Sequence, residues 1–225
     1  KKLSFLQPLQ NLEELTVYTY QSTWDVSGLA QFKNLKRLSF SSGSHFYDSY
    51  TVNLEGLSAL RHLPLEELDL SGKNIYGPID AVLEIGSLRV LNLSGAFSEG
   101  TDYRKFANLK HLQELDLSGY RDMADTPPGP DGEYWSYQAR PAGVFVEQLG
   151  LLAGLERLSL SGCGVEDIDS LRTLTALQSL DLSGNRLSDL SSLSNLQNLR
   201  YLNLSGNRIG DYSPVENRTV LTLIR

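Results

Sequence analysis

The chain of 225 residues, 40% of them apolar, is long enough for one large domain or one uninterrupted array around a core. Its 27 acidic residues outnumber its 20 basic residues, and the net charge of −7 argues against a nucleic-acid partner, which requires a basic surface. Cys163 is the single cysteine, so no internal disulfide can form, and no apolar run is long enough for membrane insertion.

A repeated line of the form LxxLxL marks the predicted strands along the chain. The lines are LEELTVYTY from Leu12, LKRLSFSSG from Leu35, LEELDLSGK from Leu65, LRVLNLSGA from Leu88, LQELDLSGY from Leu112, LERLSLSGC from Leu155, LQSLDLSGN from Leu177 and LRYLNLSGN from Leu199, followed by a shortened TVLTLIR. Most intervals between their central leucines are 22 to 24 residues. Residues 1–225 are therefore predicted to form a single array of about eight recognisable repeats plus a shortened terminal one.

The leucine spacing predicts which elements each repeat contains. In LxL the two leucines point to one side of an extended segment, and neighbouring strands must stack in parallel to bury them. Between strands, leucines recur at every third residue, as in Leu193, Leu196 and Leu199. This period fits short 3₁₀ turns better than a long α-helix. We therefore predict an α/β solenoid with a parallel β-sheet on its concave face and short 3₁₀ or irregular segments on its convex face.

These lines resemble the 22-residue subclass of leucine-rich repeats found in bacterial internalins and in a eukaryotic regulatory subunit of protein phosphatase 1. The resemblance covers nearly the whole chain and implies a leucine-rich-repeat horseshoe that binds a macromolecule. The likeness to internalins implies a secreted or bacterial cell-surface location rather than a cytoplasmic one. It does not identify the partner, because such arrays bind many unrelated ligands.

The last position of each line separates the regular repeats from the irregular ones. The resemblance implies an asparagine there whose amide bonds the backbone at the turn, and Asn185 and Asn207 match it. Cys163 is also a familiar occupant, so a structural role is expected for its thiol. The five earlier repeats carry other residues there: Tyr20, Gly43, Lys73, Ala96 and Tyr120. Local departures from a consistent array are the first places to look for function.

Two intervals exceed the period and indicate insertions near residues 43–54 and 121–143. The interval from Leu38 to Leu68 has 30 residues, and the one from Leu115 to Leu158 has 43. Prolines and glycines in the second insertion preclude regular structure there. An alternative is that this interval holds a degenerate repeat whose core pair is Trp135 and Tyr137. A glycine at its first leucine position and the lack of a following LSG favour a loop.

Aromatic residues are concentrated beyond the ends of the strands, on one edge of the solenoid, where they could contact a partner. The residues predicted to bind a partner are Trp24, Tyr47, Tyr120, Tyr134, Trp135 and Tyr137. The two insertions are three repeats apart, about 15 Å at sheet spacing, so they would flank a groove rimmed with aromatic side chains. Some of these rings are expected to fill the irregular core instead.

The predicted concave face carries small polar and charged side chains. Its central row reads Thr16, Ser39, Asp69, Asn92, Asp116, Ser159, Asp181, Asn203 and Thr222. In the adjoining row acidic and basic residues alternate between repeats, as in Glu14 and Arg37. Since parallel strands lie about 4.8 Å apart, the alternation is interpreted as a ladder of ion pairs rather than a substrate site. Arg89 is expected to neutralise Asp69 and Asp116 in the same way.

The sequence contains no arrangement typical of a catalytic or metal site. The histidines His45, His62 and His111 occupy unrelated positions in the repeat, and no catalytic triad, metal-spaced cluster or phosphate loop is present. We therefore expect no enzyme activity, no catalytic residue, no metal and no other cofactor.

Three functions remain open from the sequence. The favoured one is a non-catalytic protein-binding module that recognises a macromolecular partner through the aromatic edge. The first alternative is a carbohydrate-binding surface protein, because tyrosine and tryptophan beside aspartate and asparagine also suit sugars. The second is a passive repeat segment of a larger protein, since Leu6, Leu9 and Leu12 are already in mid-repeat phase and no recognisable N-terminal cap precedes them.

Overall fold

The solenoid predicted from the leucine period is confirmed. A computed structural model of the protein describes residues 8–18, 23–41, 52–75, 77–123, 143–216 and 221–225. Within them the chain coils through successive turns, each of which contributes one strand to a parallel sheet. Most turns also contain one short 3₁₀ or α-helix, so the convex side is built from short segments as the every-third-residue leucines predict.

The concave face is a nine-stranded parallel sheet. Its strands in spatial order are β1 (Glu14–Tyr18), β3 (Arg37–Ser41), β5 (Glu67–Asp69), β7 (Val90–Asn92), β9 (Glu114–Asp116), β11 (Arg157–Ser159), β12 (Ser179–Asp181), β13 (Tyr201–Asn203) and β14 (Thr222–Ile224). The central leucines of adjacent strands lie in register, for example Leu38 opposite Leu68. Because strand residues alternate between the two faces of a sheet, all of these leucines point inwards together.

The inward leucines form one continuous core along the solenoid. Leu68, Leu115 and Leu180 are each at most 2% exposed. On the convex side, 3₁₀ turns span Ser27–Gln31, Leu57–His62, Tyr103–Asn108, Asp169–Thr173 and Ser191–Asn195, and the α-helices are α1 (Asp80–Leu83), α2 (Gly143–Leu149) and α3 (Ser213–Glu216). Residues three apart eclipse one another in a 3₁₀ turn, so each turn directs an apolar side chain such as Leu171 or Leu193 into this core.

A second parallel sheet, of five strands, is present that sequence analysis did not predict. Its strands in spatial order are β10 (Arg121–Met123), β8 (Phe97–Glu99), β6 (Lys73–Ile75), β4 (Val52–Glu55) and β2 (Thr23–Asp25). It belongs to the repeats that lack the asparagine of the regular turn. Several buried side chains on these short strands are polar, namely Lys73, Ser98 and Asp122. The sequence therefore has no hydrophobic alternation to mark them.

The two insertions are shorter than the sequence indicates. β4 (residues 52–55) begins within the first predicted insertion, and β10 occupies residues 121–123 of the second. β9 pairs directly with β11, with Leu115 opposite Leu158. The second insertion is therefore a connection between neighbouring repeats, and the alternative of an additional repeat within the concave sheet is excluded. Residues 42–51 and 124–142 lie outside the described residues.

Candidate partner-binding surface

Two rows of side chains point outwards from the concave sheet. The charged row consists of Glu14, Arg37, Glu67, Val90, Glu114, Arg157, Ser179, Tyr201 and Thr222. The central row consists of Thr16, Ser39, Asp69, Asn92, Asp116, Ser159, Asp181, Asn203 and Ile224. Ile224, not the predicted Thr222, ends the central row, because Leu223 lies opposite Leu202 and sets the register of the last strand.

Ion pairs link neighbouring members of the charged row. Nη2 of Arg37 lies 3.0 Å from Oε2 of Glu14, and Arg157 contacts Glu114. The hydrogen bond from Arg157 lowers the pKa of the Glu114 carboxyl, and the hydrogen bond to Glu14 raises the pKa of Arg37. All four side chains are substantially exposed, so solvent screens both ion pairs and neither contributes much to the stability of the fold. These ion pairs orient the side chains on the concave face.

Arg89 does not neutralise the neighbouring carboxylates, contrary to the expectation from sequence. Leu91 points inwards, so Val90 and Asn92 take the outward positions of β7 and Arg89 lies just before the strand. Arg89 forms no ion pair with any residue that the structure describes. The same is true of four carboxylates in the two rows: Glu67, Asp69, Asp116 and Asp181.

The acidic and amide residues of the central row stabilise the turns that follow their strands. Their Oδ1 atoms accept hydrogen bonds of 2.8–3.2 Å from the backbone N–H of the serine two positions later, in Asp69, Asn92, Asp116, Asp181 and Asn203. Carboxylate and amide side chains are both able to form this turn. Sequence analysis missed the role, although a D/N-x-S spacing is visible in each of these lines.

Two open concavities lie along the rows. One of about 270 Å³ is lined by outward residues of β1 to β7, including Glu67 and Asp69. The other, of about 390 Å³, is lined by outward residues of β7 to β13, including Asp116, Asp181 and Tyr201. Both are lined mainly by side chains that donate or accept hydrogen bonds or carry charge. Such a surface is suited to holding a polar or charged chain segment.

Tyr120 is a core residue, contrary to the prediction that it contacts a partner. It is 2% exposed, and its hydroxyl lies 2.5 Å from Oγ of Ser98 and 3.0 Å from the hydroxyl of Tyr103. Its ring packs edge-on against Phe145 with the ring centroids 5.9 Å apart. Burial raises the pKa of Tyr120 to about 12. The ring fills the core where the last strand of the second sheet begins, so it is inaccessible to a partner.

The other predicted aromatic contacts are placed differently from one another. Trp24 lies on β2 and is partly buried against the core, and its buried Nε1 has no hydrogen-bond partner among the described residues. Tyr47, Tyr134, Trp135 and Tyr137 lie outside the described residues. Residues 42–51 lead from β3 into the second sheet, whereas residues 124–142 lead from the second sheet into α2. The two insertions therefore connect different elements of the repeat, and the predicted groove between them lies outside the described residues.

The asparagines predicted to be structural lie at the turns of the regular repeats. Asn185 is 5% exposed, and its Nδ2 donates to the carbonyls of Leu160 and Leu182 at 2.9 and 2.8 Å. Its Oδ1 accepts a 3.0 Å hydrogen bond from the backbone N–H of Val165. Asn207 makes the equivalent three contacts one repeat later. Each amide therefore ties its own turn to the preceding repeat.

Cys163 and Lys73 hold the same turn position in other repeats. The thiol of Cys163 donates to the carbonyl of Leu117 at 2.9 Å, and burial raises its pKa to about 11. Lys73 is 1% exposed, its Nζ donates to the carbonyl of Ser71 at 3.0 Å, and desolvation lowers its pKa. The ammonium of Lys73 cannot accept the backbone hydrogen bond that Asn185 accepts, and the sulfur of Cys163 is only a weak acceptor. Both therefore support the turn less completely than an asparagine does.

The described residues do not gather the histidines and other possible metal ligands into one cluster. They contain no group of histidine, cysteine, aspartate and glutamate able to hold a metal ion. His62 and His111 are exposed on separate turns, and His45 lies outside the described residues. No helix in the described part of the chain is long and apolar enough to cross a membrane.

Comparisons with known proteins agree with the repeat and the fold. The family model described as leucine-rich repeats (2 copies) matches residues 154–195 and 175–217. Among solved structures, internalin C2 of Listeria monocytogenes is 25% identical in sequence, with a TM-score of 0.67 over 96% of this chain and 83% of that chain. No curated protein matches the chain in sequence.

Two further solved structures share the fold at lower identity. A leucine-rich-repeat protein of Leptospira interrogans is 22% identical, with a TM-score of 0.69 over 98% of this chain and 50% of that chain. The plant peptide hormone receptor RGFR1, solved in complex with RGF2, is 18% identical, with a TM-score of 0.67 over 96% of this chain and 32% of that chain. With the repeat lines, the stacked parallel strands and these likenesses together, the chain is a leucine-rich-repeat protein with an internalin-like fold.

Proposed function

We propose that the protein is a non-catalytic protein-binding module. The observation that carries this proposal is the concave face, on which nine parallel strands present two outward rows of mostly short polar and charged side chains around two open concavities. Solenoids use such extended concave faces to bind other macromolecules. The plant receptor of similar fold, solved in complex with RGF2, supports a peptide or protein as the class of ligand.

The proposed binding residues are those of the two outward rows together with the aromatic contacts predicted from the sequence. The aromatic contacts that we propose are Trp24, Tyr47, Tyr134, Trp135 and Tyr137. Tyr120 is left out because it is buried. The likeness to a Listeria internalin and a Leptospira protein supports a bacterial protein in a secreted or cell-surface location.

Site-specific photocrosslinking tests the concave face directly. A photoreactive amino acid replaces Ser159, which lies in the central row, and in a control protein it replaces Glu147, which is exposed on α2. We expect a partner protein to be cross-linked from position 159 and not from position 147, with mass spectrometry identifying it. The same set of cross-linked proteins from both positions would show that the concave face has no special role.

Paired alanine substitutions test the aromatic contribution. Trp135→Ala combined with Tyr137→Ala is expected to abolish binding to the cross-linked partner while the melting temperature stays nearly unchanged, because exposed rings add contact area to an interface but little to the core. Tyr120→Ala is the matched control and is expected to lower the melting temperature, because it removes a buried ring. A large stability loss in the first variant without a specific loss of binding would identify Trp135 and Tyr137 as packing residues.

A further inference from the structure

Negative charge is enriched on the concave face relative to the whole chain. The two outward rows contain six carboxylates and two guanidinium groups, whereas the chain has 27 acidic and 20 basic residues. Both guanidinium groups are already paired, Arg37 with Glu14 and Arg157 with Glu114. The carboxylates left without an ion pair among the described residues are Glu67, Asp69, Asp116 and Asp181.

The fold uses Oδ1 of each of the three aspartates as a turn acceptor, and Oδ2 of Asp181 also accepts a 3.2 Å hydrogen bond from Nδ2 of Asn203. Oδ1 of Asp116 accepts a hydrogen bond from the backbone N–H of Ser118 at 2.8 Å. Oδ1 of Asn92, in the same row, accepts the equivalent bond from Ser94 at 2.9 Å. Asparagine therefore supports this turn as well as aspartate does. The turn gives no reason for the charge at Asp116, whereas the charge of Asp69 partly offsets the desolvation that lowers the pKa of the buried Lys73.

The three aspartates are evenly spaced across the sheet. Asp69, Asp116 and Asp181 lie on β5, β9 and β12, and one strand separates each from the next. At about 4.8 Å per strand, neighbouring carboxylates are about 9.6 Å apart. A polyproline II helix has three residues per turn and rises about 3.1 Å per residue, so every third side chain points the same way at intervals of about 9.3 Å. A β-strand repeats on one side at about 6.8 Å and does not match this spacing.

Tyr201 supplies a second recognition element at one end of the row. Its half-buried ring lines the same concavity of about 390 Å³ as Asp116 and Asp181. The face of a tyrosine ring attracts a guanidinium or ammonium group, and the attraction adds to that of a nearby carboxylate. A basic side chain held by Asp181 is therefore positioned to contact the Tyr201 ring.

We propose that the concave face binds a proline-rich segment of a partner protein in the polyproline II conformation, with arginine or lysine at every third position. The segment crosses the strands, and its cationic side chains pair with Asp69, Asp116 and Asp181. This inference rests on the proposed function, for which it specifies the chemistry of the partner. Because the polyproline II helix is already ordered before it binds, little conformational entropy is lost in the complex.

Two peptides of identical composition test the spacing. One consists of four Arg-Pro-Pro triplets, and the other has four consecutive arginines followed by eight prolines. Isothermal titration calorimetry at low ionic strength is expected to show binding of the triplet peptide to the whole protein, at least about fivefold tighter than the block peptide, because only the triplet spacing matches the row. Raising the salt concentration should weaken this binding.

Matched pairs of charge-removing substitutions test the location. The double variant Asp116→Asn with Asp181→Asn should bind the triplet peptide about tenfold more weakly. The control variant, Asp189→Asn with Asp211→Asn, removes the same charge from convex-side turns and should leave the affinity for this peptide unchanged. Absence of binding, equal affinity for both peptides or equal weakening in both double variants overturns the proposal. Crosslinking of a protein from position 159 would still support the proposed function in each of those cases.

Discussion

Replacing Asn185 with alanine tests whether the asparagine of the regular turn is a main source of stability between repeats. The substitution removes the donors to the carbonyls of Leu160 and Leu182 and the acceptor for the N–H of Val165. The carbonyl of Leu182 keeps the 2.8 Å hydrogen bond that it accepts from Nδ2 of Asn207. The carbonyl of Leu160 and the N–H of Val165 are left without a partner, and because both residues are at most 1% exposed these groups have little access to water. Each buried group left without a partner costs about 1–3 kcal/mol. For two such groups, with partial entry of water, we expect a total loss of about 2–5 kcal/mol.

Urea unfolding followed by circular dichroism measures this loss. The midpoint should fall while the slope of free energy against urea stays constant, which would show that stability has changed and not the cooperative unit. Asn185→Asp is the informative control, because it keeps the volume and an acceptor oxygen but replaces the amide donor with a negative charge facing two carbonyls. It should destabilise at least as much as Asn185→Ala. A loss below about 1 kcal/mol in both variants would contradict the assigned role of the amide.

Three further predictions follow from buried groups. Burial lowers the pKa of Lys73 below its value in the unfolded chain, so between these two pKa values unfolding takes up protons and the free energy of unfolding rises with pH. Lys73→Met should therefore raise the free energy of unfolding most at neutral pH. Denaturation measured from pH 7 to 10 should show the difference between the two proteins becoming smaller. Since burial raises the pKa of Cys163 to about 11, iodoacetamide at pH 8 should alkylate the native thiol much more slowly than the thiol in urea, as read by mass spectrometry; equal rates would place the thiol in solvent. Tyr120→Phe loses the hydroxyl contacts with Ser98 and Tyr103 and should cost about 1–2 kcal/mol in urea unfolding, with partner binding unchanged.

The repeat, the concave strands and, except for the last strand, their register were predictable from the leucines. An LxL segment such as Leu68 to Leu70 has only one way to bury both side chains, which is to stack on the same segment of the next repeat. Arg89 shows where this reading reaches its limit. A shift of one residue along a strand moves a side chain off the outward face. Because β7 begins at Val90, it is Val90 and not Arg89 that faces outwards.

The candidate surface could not be predicted residue by residue, because the exposure of a side chain depends on what packs over it. The sequence marks Tyr120 as an aromatic departure from the asparagine pattern, but it does not show whether the ring is exposed. Here Phe145 and the hydroxyl of Tyr103 cover it, and both come from other turns. Likewise, aspartate and asparagine are interchangeable as turn acceptors, so only the assembled sheet brings Asp69, Asp116 and Asp181 into one evenly spaced row.

The sequence by itself determined that the chain is a solenoid, because a leucine period of 22 to 24 residues leaves each repeat with an apolar face that only its neighbours can cover. Only the tertiary structure decided that the irregular repeats form a second sheet. Its short strands contain polar inward residues such as Lys73 and Asp122 and carry no local hydrophobic signal. Parallel strands are held by hydrogen bonds to residues about 20 to 30 positions away, and such pairing is set by how the repeats stack rather than by the residues within any one of them.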